Sequence, residues 1–181
     1  MRIIAGRAGG RRLASPESRE IRPTPERVRE AIFSILGNIQ GAVVVDGFAG
    51  TGAMGCEALS RGAHTCYFVD SNPEALELVE ENLERIDARD KGIVLEGNFD
   101  AQLLMIDEDP DLWFLDPPYG SDLAESALEA MRDARCVTDR SMVVLEQDER
   151  EEMPQIEGFE MEDERVYGRV RVLFLRRVVA D

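Results

Sequence analysis

Short apolar runs alternate with amphipathic stretches along the chain from residue 43 onward. Each run suits a buried strand, and each stretch that follows has the period of a helix. This alternation predicts an α/β fold with a mostly parallel sheet covered by helices on both faces. The predicted strands are residues 43–45, 65–69, 93–95, 112–115 and 142–145. The predicted helices are residues 53–61, 72–86, 100–106 and 123–131.

The end of the chain has a different pattern. Two β-rich runs, residues 158–166 and 169–177, are joined across Gly168. Runs that are separated by a short glycine-containing turn are typical of an antiparallel hairpin. We therefore predict a seven-stranded sheet that is completed by a C-terminal antiparallel hairpin.

The start of the chain is predicted to form a small β-hairpin followed by a helix. Residues 2–13 contain a strand pattern and a turn signal at Gly9-Gly10. Thr24 is the predicted N-cap of the helix, and Pro25 is its predicted first residue. The predicted buried face of this helix consists of Val28, Ala31, Ile32, Ile35 and Leu36. We expect a basic N-terminal extension of residues 1–40 and a Rossmann-like domain of residues 41–181.

The composition is typical of a globular cytoplasmic protein. The 181 residues suffice for one full-sized domain, and 44% of them are hydrophobic. The chain shows neither a leader pattern nor an apolar run that could span a bilayer, so we expect a cytoplasmic monomer without a membrane partner. Its three cysteines lack CxxC spacing and are predicted to be reduced and packed. Because His64 is the single histidine, we expect neither histidine catalysis nor a metal site.

Charge is divided unevenly along the chain. The net charge is −16, yet residues 1–29 carry eight arginines against three glutamates. Those residues have a net charge of +5, which leaves −21 on residues 30–181 and predicts a basic arm on an acidic body. The polar face of the first helix is predicted to present Arg27 and Glu30, with Arg29 near its edge. A salt-rich cytoplasm and genomic base composition are alternative explanations for the excess of acid and the single lysine.

A glycine-rich turn follows the first predicted strand. Residues 46–52 read Asp-Gly-Phe-Ala-Gly-Thr-Gly and lead into a helix. The glycines would let the backbone approach a ligand, although a dinucleotide-binding sheet or mere close packing would also require them. The Asp46 carboxylate would repel a pyrophosphate and attract an ammonium or sulfonium group. Asp70 ends the second strand, where it can accept hydrogen bonds from ribose hydroxyls.

S-adenosylmethionine has the groups that this pattern favours, namely an amino acid end, a sulfonium and a ribose. We therefore predict it as the cofactor, with a nicotinamide nucleotide as the alternative. Asn98 is predicted to reach the adenine edge or to cap a helix, and the two roles are compatible. The predicted cofactor-binding residues are Asp46, Phe48, Ala49, Gly50, Gly52, Asp70, Ser71, Asn98, Phe99 and Asp116.

The fourth predicted strand ends in the sequence Asp116-Pro117-Pro118-Tyr119, which borders the crevice of such a sheet. The prolines fix φ and so hold the Asp116 carboxylate and the Pro117 carbonyl in set directions. Two acceptors can bind both N–H groups of an exocyclic amine and turn its lone pair toward a methyl donor, and the carboxylate can take up the departing proton. Tyr119 can stack on a base. These four residues are the predicted catalytic residues; the structural alternative is a proline-rich turn with an aromatic plug.

The chemistry of this motif restricts the substrate. An amine inside a duplex is out of reach, so the base must be unpaired or flipped into the pocket. Catalysis would then depend mainly on alignment of the reacting atoms. No cysteine has the setting of a nucleophile, which argues against methylation at carbon 5 of a pyrimidine.

Six stretches of the sequence match one family. They are residues 2–6, 22–24, 27–30, 46–55, 57–63 and 116–119. Through them the chain resembles, nearly end to end, the RsmD family of 16S ribosomal RNA guanine-N2 methyltransferases. The resemblance implies a class I methyltransferase fold and action on a guanine of small-subunit ribosomal RNA within an assembled particle. It also implies that the N-terminal hairpin and residues 22–29 help to bind RNA or to close the cofactor pocket.

Five arginines are the predicted RNA contacts: Arg7, Arg11, Arg12, Arg22 and Arg27. Each of them could equally be a solvated surface arginine, so the prediction depends on the cluster. Two features depart from the family pattern. Asp70 stands where members often have Glu, and the acidic body puts affinity for free RNA in doubt.

Two alternative functions are open at this stage. The first is an amino-methyltransferase that acts on adenine N6, in DNA or another RNA, since the Asp-Pro-Pro-Tyr sequence does not separate guanine from adenine. The absence of an inserted target-recognition domain argues against a DNA enzyme. The second is a non-catalytic RNA-binding factor of ribosome assembly, against which the intact Asp46, Asp70 and Asp116 argue.

Overall fold

The structure, a computed structural model, describes residues 1–16, 24–134, 136–154 and 157–178. The strands are β1 (Val43–Gly47), β2 (Thr65–Asp70), β3 (Gly92–Glu96), β4 (Leu112–Leu115), β5 (Met142–Asp148), β6 (Phe159–Tyr167) and β7 (Val170–Arg177). The helices are α1 (Glu26–Leu36), α2 (Ala53–Ser60), α3 (Pro73–Arg85), α4 (Phe99–Gln102) and α5 (Leu123–Ala134), and a 3₁₀ turn (Leu103–Met105) follows α4.

All seven strands form one sheet in the order β3-β2-β1-β4-β5-β7-β6. The first five strands are parallel, whereas β7 pairs antiparallel with both β5 and β6. The predicted α/β fold with a C-terminal antiparallel hairpin is therefore confirmed. The strand order reverses between β1 and β4, which opens a crevice at the carboxyl ends of these strands.

Successive side chains of each strand pack alternately into two hydrophobic clusters, one on each face of the sheet. Val44 and Phe114 belong to one cluster, and their neighbours Val45 and Trp113 belong to the other. Because both faces are covered, the strands are apolar runs rather than alternating ones. Among the described residues, no helix is long and apolar enough to cross a membrane.

The predicted start of α3 is confirmed in detail. The Asn72 side chain caps the helix by accepting a hydrogen bond from the backbone N–H of Glu74 at 3.0 Å, and Pro73 occupies the first turn. A proline there loses no hydrogen bond, because the first N–H groups of a helix have no partner within it. Asn72 and Pro73 together fix the point at which the chain leaves β2.

The N-terminal segment docks on α2 rather than forming an extended hairpin. Its strand pairing is a single antiparallel bridge between Arg2 and Arg12. The fully buried Glu57 carboxylate accepts hydrogen bonds from the backbone N–H groups of Ile4 and Ala5 at 2.8 and 3.0 Å. Gly6 packs so closely that an added Cβ would lie 2.0 Å from the carbonyl oxygen of Ser60.

Three predictions about α1 are wrong. Thr24 does not cap the helix, because Pro25 occupies the N-cap position and the Thr24 hydroxyl oxygen lies instead 2.9 Å from Glu146 Oε1. Ile35, predicted to be buried, is 41% exposed. Arg29, predicted near the polar edge, is fully buried and donates to the backbone carbonyl of Arg2, so it anchors the N-terminal segment.

Candidate active site

A cleft of about 1040 Å³ opens at the carboxyl ends of β1, β2, β4 and β5. Nearly all predicted cofactor-binding and catalytic residues line it: Asp46, Phe48, Ala49, Gly50, Asp70, Ser71, Asn98, Phe99, Asp116, Pro117, Pro118 and Tyr119. The remaining predicted residue, Gly52, begins α2 with a φ of 68°. The order of the strands thus brings together segments that are far apart in the sequence.

The turn after β1 has a backbone conformation that leaves little room for a side chain at Gly47 and is unfavourable for the side chain of Phe48. A Cβ on Gly47 would lie 2.6 Å from the ring of Phe99. Phe48 has a φ of 60°, a conformation that costs free energy for a bulky residue and that is found preferentially at functional sites. Its ring stacks on the Phe99 ring with centroids 5.3 Å apart. Aromatic packing therefore holds the turn open toward the cleft.

Asp46 is a buried carboxyl at the base of the cleft. It is 4% exposed, and its Oδ2 accepts a hydrogen bond of 2.8 Å from the backbone N–H of Gly55. Burial raises the pKa of Asp46 to about 8, and the charges of Asp116 and Asp70 add to the shift. A cationic ligand would stabilise its charged form.

Asp70 fixes the shape of the turn as well as lining the cleft. Its Oδ2 accepts from the backbone N–H of Gly50 at 2.8 Å, and its Oδ1 accepts from that of Asn72 at 2.9 Å. Each carboxylate oxygen retains a lone pair for a ligand. Asn98 precedes α4, but its side chain makes no capping hydrogen bond.

The Asp116-Pro117-Pro118-Tyr119 segment lies directly after β4. Protein atoms surround Asp116 closely, and this burial raises its pKa to about 6, while a hydrogen bond with the Thr24 hydroxyl opposes the shift. Pro117 is buried, and Tyr119 is 43% exposed at the rim. The segment therefore presents an acceptor inside the cleft and an aromatic ring at its entrance.

Sequence reasoning missed the hydrogen-bonded pair of Thr24 and Glu146 among the residues that line this cleft. Glu146 is 4% exposed on β5, and its Oε1 lies 2.9 Å from the Thr24 hydroxyl oxygen. Burial raises the pKa of Glu146 well above its usual range, and the neighbouring Asp116 charge raises it further. A signal was present in the sequence, since Glu146 directly follows the apolar run of β5 where a buried strand would otherwise continue.

Negative groups dominate the lining of the cleft. Eight carboxyl residues line it: Asp46, Asp70, Asp100, Asp116, Glu129, Asp133, Glu146 and Asp148. Arg169 is the one cationic side chain among the described lining residues. This set, which we call the acidic cleft, fits a ligand with an ammonium and a sulfonium and disfavours a pyrophosphate.

Arginines lie on the outside of the docked N-terminal segment. Arg7 donates to the backbone carbonyl of Asp87 at 2.9 Å, and Arg11 binds the Asp87 carboxylate at 2.5 Å. Arg12 and Arg27 are exposed. We call Arg7, Arg11 and Arg12 the arginine flank. Arg22, also predicted to bind RNA, lies outside the described residues.

Comparison with known proteins gives a consistent set of relatives. The family model described as conserved hypothetical protein 95 matches residues 1–176. Ribosomal RNA small subunit methyltransferase D of Escherichia coli K12 is 30% identical over 179 residues, which are 98% of this chain and 90% of that protein. The protein of the same name from Haemophilus influenzae is 29% identical and covers 93% of this chain and 89% of its own length.

Solved structures of other proteins superpose on almost the whole length of this chain. A protein from Escherichia coli, provisionally named as a methyltransferase, superposes with a TM-score of 0.86 at 28% identity and covers 98% of this chain and 97% of its own. A hypothetical protein from Thermus thermophilus gives a TM-score of 0.81 at 30% identity, with 98% and 99% covered. The expected class I methyltransferase fold is thereby confirmed.

Proposed function

We propose a function from one premise: the chain belongs to the RsmD family, whose model is described as conserved hypothetical protein 95. The chain transfers a methyl group from S-adenosylmethionine to the N2 amine of a guanine in 16S ribosomal RNA, within an assembled small-subunit particle. The observation that carries this proposal is the Asp116 carboxyl group beside Pro117 in a cleft lined by acid. The names of the relatives support ribosomal RNA as the substrate.

The residues of the acidic cleft suit the proposed cofactor. Asp46 holds the cationic amino acid end, Asp70 accepts from the ribose hydroxyls, and the turn of Phe48, Ala49 and Gly50 lies along the cofactor. Ser71, Asn98 and Phe99 border the adenine, and Gly52 shapes the turn. When bound, S-adenosylmethionine supplies an electrophilic methyl group on a positively charged sulfur.

The reaction centre acts on the amine. The Asp116 carboxylate and the Pro117 carbonyl each accept one amine N–H, which orients the nitrogen lone pair. Methyl transfer would break the C–S bond of the donor and leave that electron pair on sulfur, while the new N–CH₃ bond forms. One N–H bond of the amine breaks, and its proton passes to Asp116. Pro118 fixes the backbone, and Tyr119 stacks on the flipped base, a contact that contributes ~1–3 kcal/mol.

The N-terminal part supplies RNA binding. In this proposal residues 1–40 form an extension that binds RNA and closes over the methyltransferase domain of residues 41–181. The arginine flank, with Arg22 and Arg27, contacts phosphates. The acidic body repels free RNA, so productive binding requires the geometry of an assembled particle.

Radiolabelled methyl transfer to 30S particles, naked 16S RNA and DNA, followed by nucleoside analysis, tests the proposal. We expect N2-methylguanosine from the particle and little product from the other two. A methyladenine product would replace guanine by adenine as the target. No transfer to any of the three would contradict the proposed function altogether.

A further inference from the structure

Two carboxyl residues of the acidic cleft, Asp116 and Glu146, occupy corresponding positions directly after β4 and within β5. Leu115 of β4 lies opposite Leu145 of β5, so Asp116 and Glu146 are the next residues along the two strands. Both side chains line the cleft. The Thr24 hydroxyl joins them, because it lies 2.9 Å from Glu146 Oε1 and also hydrogen bonds to Asp116.

The surroundings of this pair decide which carboxyl group is charged. Burial raises the pKa of Asp116 to about 6 and that of Glu146 well above its usual range. Asp46 on β1, when ionised, raises the pKa of Glu146 further, and Arg29 on α1 is the cation that faces Glu146. On the other side, β7 places the uncharged Val172 opposite Glu146. Burial therefore favours the protonated form of Glu146 more strongly than that of Asp116.

We propose that Glu146 is a positioning residue that acts in its protonated form through Thr24. The Glu146 carboxyl donates its hydrogen to Thr24 Oγ1, and the Thr24 hydroxyl donates its own hydrogen to the Asp116 carboxylate. A hydroxyl has one hydrogen to give, so Glu146 determines that Thr24 gives it to Asp116. The relay keeps Asp116 charged and oriented toward the amine, and it rests on the proposed function.

Thr24 also links two parts of the molecule. It precedes Pro25, the N-cap of α1, and α1 is the helix whose buried Arg29 anchors the N-terminal segment. The N-terminal part of the chain therefore supplies both the proposed RNA-binding arginines and the hydroxyl that orients the proton acceptor. Displacement of α1 would break the relay without touching any residue of β4 or β5.

Carboxyl ¹³C NMR titration of the free protein tests the relay without any substrate. Thr24→Val should shift the Asp116 midpoint to higher pH, because the carboxylate loses a hydrogen bond. Thr24→Ser and Glu146→Gln should leave the midpoint near that of the wild type, since the first keeps the hydroxyl and the amide of the second donates in place of the acid. Glu162→Gln, an exposed glutamate on β6, is the matched control. An Asp116 midpoint that Thr24→Val does not move would overturn the proposal.

Methyl-transfer kinetics on the particle supply the second readout. Thr24→Val and Glu146→Ala should each lower kcat on the order of 10-fold with KM for the particle unchanged, while Glu146→Gln retains most of kcat. Equal losses for Glu146→Gln and Glu146→Ala would mean that the ionised carboxylate does the work, which contradicts the relay. If the wild type transfers no methyl group while the NMR midpoints move as expected, the proposed function fails and the relay stands.

Discussion

The acidic cleft and the arginine flank carry opposite charges and are built in opposite ways. The cleft carboxyls Asp46 and Glu146 are 4% exposed, and burial raises the pKa of both. The arginines of the flank are exposed, and two of them, Arg7 and Arg11, are held by hydrogen bonds to Asp87 after α3. A sulfonium cofactor and an RNA phosphate have opposite charges, so one surface cannot attract both. In the proposed function the cleft therefore attracts the cofactor and the flank attracts RNA, and the two opposite charges stay apart.

We expect the greatest loss of methyl transfer from a substitution at the centre of the cleft. Asp116→Ala should lower methyl transfer on the order of 10³-fold, because the amine loses its proton acceptor, while cofactor binding survives. Methyl-transfer rates and equilibrium cofactor binding measured on the same variant check this. Asp139→Ala changes an exposed aspartate in the loop before β5, at the amino ends of the parallel strands and away from the cleft, and should change neither quantity. Equal losses of transfer and cofactor binding would remove Asp116 from the reaction centre.

The next effect concerns how the flank is attached. Glu57→Ala should lower the free energy of unfolding by about 3 kcal/mol, because the partly buried N–H groups of Ile4 and Ala5 and the guanidinium of Arg61 lose their acceptor. Urea denaturation measures the change. Glu77→Ala, on the exposed face of α3, should stay within about 0.5 kcal/mol of the wild type. A loss as small as that of the control would mean that the N-terminal segment is held elsewhere.

The positions and contacts of residues in these two regions differ in how well the sequence predicts them. Residues of the cleft follow strand ends, and the strand pattern of an α/β chain is readable, so the positions of Asp46, Asp70 and Asp116 were predicted. The contacts of Glu146 and Thr24 were not, because 122 residues separate them and periodicity carries no information on which distant side chains meet. Arg29 was assigned to a polar edge for the same reason. Its burial depends on the backbone carbonyl of Arg2, which no helical pattern reveals.

Charge reversal tests whether the arginine flank binds the particle. Arg11→Glu with Arg12→Glu should weaken binding to the particle on the order of 10²-fold and reduce its salt dependence, because fewer counterions are released. Cofactor affinity should not change. Arg140→Glu with Arg165→Glu makes the same change in net charge away from the flank and serves as the control. Equal weakening by both pairs would indicate a general charge effect instead of a located contact.

We expect the smallest change in the pH dependence of cofactor affinity, which should distinguish the cleft from the flank. Asp46 has its pKa raised to about 8, and a cationic cofactor prefers the carboxylate, so binding must release a proton below that pH. Cofactor affinity should therefore rise about 50-fold between pH 6 and 8, as the ionised fraction of Asp46 rises from about 1% to about 50%, and level off above; Asp46→Asn should abolish the dependence. Calorimetry in buffers of different ionisation enthalpy measures the released proton, and an affinity that is flat with pH in the wild type would contradict the assignment. Asp46 lies in the acidic cleft, so the contribution of the arginine flank to binding of the particle should not follow the same curve.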